Sequence, residues 1–472
     1  MSEDSFDFTA KETEWSRLAR PYEKEALETL KEYIAIPSYN DPASASKEHP
    51  FGKYVANVLD FTAKLGARLG FAVDRCDNYC TELSYGKGPL IDIYAHSDTV
   101  PVELANWNTD PFKATFVGDK VIGRGAADDK GPGLSCLFGL KALLDHKMIE
   151  GYRVRFVFGG NEELDFRCLE HYFNNLKKGY PAYGISPDAD YPLIYAEKAL
   201  CDYDATFNVD LGSQPFEWGT ALNLVCNDVS YDFANLPQHL PFERIKNVVD
   251  NYLPDHPEIK GTWHNTVLRI KGKGYHGSMP WNGVNAGLYM LNIIAKINGI
   301  QKLHEAYEDY KVGDGEPFGG NYKSKAFERS SYCVGLISYA DGKLVLHVNM
   351  RLPENVDLND AVENVREKTK ADAIKIQSTT PALYVDPKSD LVKTLLAVYR
   401  EETGDLKSKP LALGGGTYAK ESRNTVAFGG CFPGRDFGMH EDNEWFLVSD
   451  FYKNIGIYAH AIYALGQLAK KK

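Results

Sequence analysis

The stretch Leu90-Ile-Asp-Ile-Tyr-Ala-His96-Ser-Asp98 is the most informative part of this chain. Its short apolar run, rich in β-branched and aromatic residues, predicts a buried strand. The strand ends in an imidazole, and a carboxylate follows two residues later. An imidazole and a carboxylate placed in this way are typical of half a metal site, which predicts that other strands end in the remaining ligands.

Strand-like and helix-like segments alternate around this stretch. The apolar spacing predicts helices at 23–36, 51–70, 131–145, 166–177, 389–402 and 446–468, and strands at 152–158, 182–186, 410–413 and 425–429. Alternation of this kind implies a mostly parallel sheet that helices cover on both faces.

The character of the sequence changes after Ala196. The segments predicted there are strands at 204–210, 266–270, 333–338 and 344–349, and helices at 284–298 and 357–370. We therefore predict an α/β fold whose mixed, mostly parallel sheet is flanked by helices and whose chain is interrupted by an inserted α+β domain. The predicted α/β domain comprises residues 1–198 and 385–472, and the inserted domain comprises residues 199–384.

The composition excludes some classes of function. The 472 residues carry a formal net charge of −12, which gives no electrostatic support to binding of nucleic acid or of an anionic membrane. The eight cysteines lie far apart and form no CxxC pair, so we expect no disulfide framework. Six of them lie mostly in apolar context, which predicts buried thiols and fits a reducing compartment: Cys136, Cys168, Cys201, Cys226, Cys333 and Cys431. No apolar run approaches the ~20 residues of a membrane span, and the N-terminus lacks a signal pattern, so we expect a cytoplasmic protein.

Metal-binding side chains follow the predicted strands of the α/β domain. They are His96 and Asp98 after 90–95, Glu162 and Glu163 after 152–158, Asp188 after 182–186, and His440 after 425–429, with Asp128-Asp129 before the helix at 131–145. Because ligands of an open α/β sheet bind beyond the carboxyl ends of its strands, we expect these groups to converge at one edge.

Two imidazoles and several carboxylates suit zinc, manganese or cobalt better than calcium. The gathered carboxylates would repel one another without cations, and two divalent ions remove that repulsion. Each metal would have one histidine, one terminal carboxylate and one shared aspartate, and the position left open for water indicates a catalytic site. Taken singly, a histidine after a strand is more often structural, and Asp128-Asp129 could cap a helix.

Motifs spread over nearly the whole chain carry a family resemblance. They are Tyr94-Ala-His-Ser-Asp-Thr-Val-Pro, Gly123-Arg-Gly-Ala-Ala-Asp-Asp-Lys-Gly-Pro, Gly160-Asn-Glu-Glu-Leu, Ser186-Pro-Asp-Ala-Asp-Tyr-Pro, Gly274-Tyr-His-Gly-Ser-Met-Pro, Asn349-Met-Arg-Leu-Pro, Gly414-Gly-Gly-Thr-Tyr and Pro433-Gly-Arg-Asp-Phe-Gly-Met-His. The chain resembles the co-catalytic zinc peptidases that include carboxypeptidase G2, succinyl-diaminopimelate desuccinylase and aminoacylase. Within them it is most similar to the peptidase V-type, carnosinase-like dipeptidases.

The resemblance implies a role for each matching residue. Asp128 bridges two metals; His96 and Asp188 complete one site, and Glu163 and His440 complete the other. The remaining implied roles are Asp98 holding the His96 ring, Glu162 as general base, His276 and Asn223 at the substrate carbonyl oxygen, and Arg351 at the terminal carboxylate. The resemblance also implies two divalent ions per chain, with zinc preferred over manganese and cobalt, and it makes the inserted domain a lid.

The implied function is that of a metallo-dipeptidase. It would hydrolyse unblocked dipeptides of broad sequence, including β-alanyl dipeptides, with a water between the metals and Glu162 as general base. An N-acyl amino acid deacylase or desuccinylase would use the same metals, and a binding protein that lost the chemistry is a rival from another class. We expect a small peptide as the partner, no nucleic acid and no membrane, and a monomer or homodimer.

Overall fold

The strand predicted at 90–95 lies inside a mixed sheet in the computed structural model of the chain, which describes residues 6–211, 214–235 and 240–471. The helices of these residues are α1 (Glu14–Ala19), α2 (Glu23–Ile34), α3 (Lys53–Leu69), α4 (Lys130–Asp145), α5 (Arg167–Glu170), α6 (Phe242–Tyr252), α7 (Ala286–Asn298), α8 (Gln301–Tyr310), α9 (Leu358–Lys368), α10 (Asp390–Thr403) and α11 (Val448–Ala469).

The strands of the same residues also follow one another in chain order. They are β1 (Ala72–Asp74), β2 (Cys80–Gly86), β3 (Leu90–His96), β4 (Thr115–Val117), β5 (Lys120–Ile122), β6 (Arg153–Gly159), β7 (Tyr183–Ser186), β8 (Ala189–Asp190), β9 (Ile194–Glu197), β10 (Ala199–Asn208), β11 (Phe216–Trp218), β12 (Asp228–Asp232), β13 (Lys260–His264), β14 (Val267–Lys271), β15 (Ser331–Ala340), β16 (Lys343–Leu352), β17 (Ala373–Thr380), β18 (Leu383–Tyr384), β19 (Leu411–Leu413), β20 (Thr425–Ala427), β21 (Gly430–Cys431) and β22 (Trp445–Leu447).

The chain divides into two compact units. Unit 1 comprises the described residues up to Ala196, together with Leu383–Ala412 and the residues from Gly416 onward. Unit 2 comprises Glu197–Ala382 with Leu413–Gly415. The N-terminal residues 1–5, which belong to the predicted α/β domain, lie outside the described residues.

The main sheet of unit 1 has the strand order β1-β2-β6-β3-β7-β20-β9-β18, and β19 also pairs with β9. Its central pairs, β6 with β3, β3 with β7 and β7 with β20, are parallel. The pairs β1–β2, β2–β6 and β20–β9 are antiparallel. The carboxyl ends of the parallel strands therefore meet at one edge, where ligands of such sheets bind.

Strand β3 is buried on both of its faces, which explains its continuous apolar sequence. Ile91, Ile93 and Ala95 belong to a core shared with α4 and α11. Tyr94 points to the other face, where it packs in a cluster with Val55 of α3. Helices therefore cover this strand from both sides, and the predicted α/β class with a mixed, helix-flanked sheet is confirmed.

Helix α4 leads away from the edge at which these strands end. It is buried along most of its length and packs against α11. A Cβ atom at Gly139 would lie 2.7 Å from the main-chain oxygen of Ile455 in α11, so the missing side chain allows the two helices to approach closely. This packing fixes the turn that precedes α4, which carries Asp128.

Unit 2 is built on antiparallel sheets. One has the order β11-β15-β16-β10-β17, and a smaller one has the order β12-β14-β13. In β10 the buried residues alternate with half-buried polar ones such as Asp202 and Asp204, the pattern of a sheet that covers a core with one face only. The core contains residues of β10, β15, β16 and helices α6 to α9.

Two predictions about the environment of the chain can be compared with the structure. All eight cysteines are unpaired, as the sequence predicts, and all are buried, including the six predicted to be. No helix among the described residues combines the length and the apolar character that a bilayer crossing requires.

Candidate metal centre

His96 is the last residue of β3 and is fully buried. Its Nδ1 atom lies 2.9 Å from the main-chain oxygen of Asp98, and its Nε2 atom lies 2.8 Å from Oδ1 of Asp128. Because a carbonyl oxygen only accepts, Nδ1 carries a proton and Nε2 faces the carboxylates. Although burial lowers the pKa of His96, the hydrogen bond to Asp128 and the charges of Asp188 and Asp128 raise it well above its usual value. The ring therefore requires a proton or a metal cation between Nε2 and the carboxylates.

Asp98 supports the site in a way that differs in detail from the prediction. Its carboxylate lies 3.7 Å from Nδ1 of His96, and the ring donates its Nδ1–H to the main-chain oxygen of Asp98. The carboxylate oxygens instead accept the main-chain N–H groups of Glu162 and Glu163, at 3.0 and 3.1 Å. Asp98 thus links the end of β3 to the turn after β6.

The two carboxylate oxygens of Asp128 face different imidazoles. Oδ1 lies 2.8 Å from Nε2 of His96, and Oδ2 lies 2.9 Å from Nε2 of His440. His440 also lies 2.9 Å from Oε2 of Glu163, and its hydrogen bonds to Asp128 and Glu163 raise its pKa to about 11. On the other side, Oδ2 of Asp188 lies 3.6 Å from Nε2 of His96. The structure therefore brings the five predicted metal ligands together around Asp128.

Glu162 belongs to the same group of side chains. One ligand atom each from His96, Glu162 and Asp188 lie within 4.8 Å of one another, and the same holds for His96, Asp128 and Glu163. Burial, and then the charges of neighbouring carboxylates, raise the pKa of Glu162 well above its usual value, although His96 opposes this shift. Burial and the charge of Asp128 likewise raise the pKa of Asp188, to about 7. The accumulated negative charge is thus costly in the absence of cations.

This donor set fits divalent cations. It combines imidazole nitrogens with carboxylate oxygens, the ligands that zinc, manganese and cobalt accept, and it lies at the edge where the parallel strands end. Each oxygen of the Asp128 carboxylate faces its own histidine, His96 on one side and His440 on the other.

The alternative interpretation of Asp128-Asp129 as a helix cap is not supported by the hydrogen bonds. Asp129 occupies the N-cap position of α4, but its side chain makes no capping hydrogen bond. Its Oδ2 atom instead accepts the main-chain N–H of His96 at 3.2 Å. The peptide bond between Asp128 and Asp129 is cis.

The three predicted substrate contacts lie in unit 2. Arg351, near the end of β16, is 3% exposed; its Nε donates to Oδ1 of Asn349 at 2.7 Å, and its Nη1 donates to the main-chain oxygen of Gly414 at 2.8 Å. Burial lowers the pKa of Arg351 to about 10. Lys198 is buried near Arg351. Its burial, and then the charges of Arg351 and Arg329, lower the pKa of Lys198 to about 8. Sequence reasoning missed this second buried cation, since a lysine at a predicted domain boundary carries no signal.

His276 and Asn223 lie on neighbouring segments. His276 pairs with Leu224 in an antiparallel bridge, and the N–H of Gly277 donates to the main-chain oxygen of Asn223 at 2.7 Å. The structure therefore brings the Asn223 and His276 segments together through their main chains. His276 is exposed, and its Nδ1 atom lies 2.8 Å from Oγ of Ser278.

The sequence profile of peptidase family M20/M25/M40 matches residues 93–464. The chain belongs to this family. It is therefore a hydrolase of the metallopeptidase type, and members of the family depend on metal. The cluster of histidines and carboxylates described above could hold the metal on which such an enzyme depends.

Relatives of this metallopeptidase are similar over their whole length. A Staphylococcus haemolyticus protein named "Putative dipeptidase" is 30% identical over 479 residues, which cover 96% of this chain and 99% of the relative. A Staphylococcus epidermidis protein of the same name is 31% identical, with the same coverage. Human carnosine dipeptidase 1 has a similar fold, with a TM-score of 0.58 at 15% identity over 96% of this chain and 98% of that structure.

One residue that the sequence analysis missed holds the turn that carries Asp128. The fully buried carboxylate of Glu444 accepts the main-chain N–H groups of Gly125, Ala127 and Asp128, at 2.9, 2.8 and 3.1 Å. It also accepts Nη1 of Arg124 at 2.8 Å. Glu444 therefore shapes the glycine-flanked turn that presents Asp128, and its distance along the chain from that turn hides this contact from sequence reasoning.

Proposed function

We propose that this metallopeptidase is a dipeptidase that hydrolyses the single amide bond of unblocked dipeptides. The observation that carries the proposal is the convergence of His96, Asp128, Glu163, Asp188 and His440, with Glu162 beside them. The full-length similarity to staphylococcal proteins with dipeptidase names supports the choice of substrate. We include β-alanyl dipeptides in the substrate range.

Asp128 would be shared between two divalent ions. His96 and Asp188 would complete one set of ligands, and Glu163 and His440 would complete the other. Zinc is our first choice, with manganese or cobalt as alternatives. When bound, such ions polarise a carbonyl group and make a water molecule more acidic.

Glu162 would act as the general base. Its carboxylate lies near His96 and Asp188, whereas that of Glu163 contacts His440, so the adjacent glutamates serve different purposes. Glu162 would take a proton from the attacking water and pass it to the amine that leaves. Asp98 supports this arrangement because its carboxylate fixes the main-chain N–H groups of both glutamates.

Unit 2 would supply the contacts to the substrate. His276, with Asn223 on the neighbouring segment, would stabilise the developing oxyanion by hydrogen bonding. Arg351 would bind the terminal carboxylate, since its planar guanidinium can bond both oxygens. In this proposal residues 1–198 and 385–472 form the catalytic domain, and residues 199–384 form a lid that makes the enzyme selective for short peptides.

The free, buried state of all eight cysteines supports a location in a reducing compartment, and we propose the cytoplasm.

A substrate panel tests the proposed function directly. The metal-stripped protein would receive zinc, manganese or cobalt, and turnover would be measured for dipeptides, β-alanyl dipeptides, N-acyl amino acids and hexapeptides. We expect rapid cleavage of dipeptides, slow cleavage of the same sequences with a C-terminal amide, and loss of activity with a chelator. Preference for N-acyl amino acids would identify a deacylase instead, and bound metal without turnover of any member would identify a binding protein.

A further inference from the structure

The surroundings of His276 determine which of its ring nitrogens carries the proton. Nδ1 lies 2.8 Å from Oγ of Ser278, and the main-chain N–H of Ser278 points to the same Nδ1 atom at 3.4 Å. A main-chain N–H can only donate, so Nδ1 serves as an acceptor. The proton of the neutral ring is then on Nε2.

We propose that Ser278 is a positioning residue that keeps His276 in the Nε2–H form. This inference rests on the proposed function, in which His276 donates a hydrogen bond to the oxyanion. A ring with its proton on Nδ1 would turn the lone pair of Nε2 toward the oxyanion and would repel it. The hydroxyl group of Ser278, two residues along the chain, then donates to Nδ1 beside the main-chain N–H, and the two donors together keep His276 a donor to the substrate.

The main chain around Ser278 is held in place from two directions. The N–H of Met279 donates to the main-chain oxygen of His276 at 3.0 Å, which closes a turn over residues 276–279. From the other direction, Gly414 approaches so closely that a Cβ atom there would lie 2.8 Å from Cβ of Ser278. The neighbouring Gly415 is different, because a Cβ atom there would meet only atoms at 3.6 Å or more.

These contacts suggest two independent ways to disturb the Ser278 hydrogen bond. Ser278→Ala removes the hydroxyl and leaves the weaker main-chain contact in place. Ser278→Thr keeps the hydroxyl and serves as the conservative control. Gly414→Ala pushes Ser278 without altering any hydrogen-bonding group, and Gly415→Ala is its matched control.

The experiment combines a spectroscopic and a kinetic measurement on the full-length protein. Nitrogen-15 NMR of histidine-labelled protein, with the His276 signals assigned by comparison with His276→Gln, reports the position of the ring proton. We expect the Nε2–H form in the parent protein, in Ser278→Thr and in Gly415→Ala, and a mixture of both forms in Ser278→Ala and Gly414→Ala. We also expect kcat for dipeptides to fall about tenfold in Ser278→Ala, with KM nearly unchanged, because one hydrogen bond is worth roughly a factor of ten.

The outcomes separate this inference from the proposed function. An Nδ1–H ring in the parent protein, or an unchanged ring and unchanged kcat in Ser278→Ala, would overturn the role of Ser278 even if dipeptides are cleaved. If no dipeptide is cleaved but Ser278→Ala alters the ring proton, the proposed function is wrong while the role of Ser278 in positioning the proton stands.

Discussion

Glu162 and Glu163 are adjacent in sequence, yet their environments differ. Both main-chain N–H groups are bound by the carboxylate of Asp98. The side chain of Glu163 contacts His440, whereas that of Glu162 lies with His96 and Asp188. Two neighbouring residues of one turn can therefore have different roles, because their side chains contact different partners.

This difference leads to opposite expectations for two isosteric substitutions. Glu162→Gln should keep its bound metal and lose about 10² to 10⁴-fold in kcat, because it removes the proposed base without removing a proposed ligand. Glu163→Gln should lose bound metal as well as activity. Metal content by mass spectrometry and turnover of one dipeptide would be measured on the same samples. Substantial activity in Glu162→Gln would contradict the assignment of the base.

At the level of residues, the sequence predicts side chains that carry chemistry better than side chains that support them. His96, Asp128 and Asp188 stand next to predicted strands or helices, so their convergence follows from the fold class. Asp98 was recognised, but which of its oxygens binds the His96 ring depends on main-chain geometry. Glu444 gives no signal, because its partners, three main-chain N–H groups and the side chain of Arg124, lie far away in sequence.

At the level of elements, β3 contains a carboxylate within a fully buried strand. Asp92 lies directly opposite Arg155 in the parallel pair of β3 and β6. Two hydrogen bonds join them, from Nε to Oδ1 at 2.8 Å and from Nη2 to Oδ2 at 2.6 Å. Tyr94 donates a third hydrogen bond to Oδ2 of Asp92 at 2.5 Å. The paired charges explain how a strand that ends in His96 tolerates an internal aspartate.

Breaking this buried pair should be costly, whereas replacing it need not be. Asp92→Ala leaves Arg155 buried without its partner, and we expect a loss of about 3 to 5 kcal/mol in the stability of unit 1. Asp92→Leu combined with Arg155→Met should lose much less, since neither charge then remains. Scanning calorimetry would follow the unfolding transition of unit 1. Equal destabilisation by the single and the double replacement would show that the pairing itself is not what matters.

Glu363→Ala provides a comparison for that experiment. Glu363 forms an exposed pair with Arg366 in α9, with a distance of 3.1 Å between Nη1 and Oε2. Exposed pairs contribute little to stability, so this substitution should leave the calorimetric transitions nearly unchanged.

Elements were predictable where burial leaves a periodic pattern. Strand β3 and helix α4 appear within a residue or two of their predicted ends, because both are almost wholly apolar. Strand β17 was not predicted, since most of its residues are exposed and show no alternation. Its pairing with β10 creates the strand, and that contact lies beyond what a local pattern can reveal.

At the level of the whole molecule, the order of elements along the chain predicts the domain organisation better than any single motif does. Alternating strands and helices, interrupted by an antiparallel segment and resumed near residue 388, predicted a discontinuous α/β part with an insertion. The structure divides into units with breaks after Ala196 and Ala382 and assigns the short segment Leu413–Gly415 to unit 2. No composition shift marks that segment, because its place depends on contacts such as the hydrogen bond from Arg351 to Gly414.

If the carboxylates at one edge of unit 1 bind cations as proposed, metal binding is coupled to the stability of the protein. Cations that bind the folded site, and that bind the unfolded chain less well, stabilise the folded state by mass action. At a free metal concentration about 1,000 times Kd, this stabilisation would be about 4 kcal/mol. We therefore expect zinc to raise the calorimetric Tm of unit 1 by several degrees, and a chelator to reverse the effect.

The same experiment on variants connects the stabilisation to the proposed ligands. Glu163→Gln should lose most of the zinc-dependent shift in Tm because it removes a proposed ligand. Glu363→Gln should keep the shift, because Glu363 is exposed on α9 and lies far from any proposed ligand in sequence. A shift of equal size in both variants would mean that zinc binds elsewhere, and the assignment of these ligands would then be wrong.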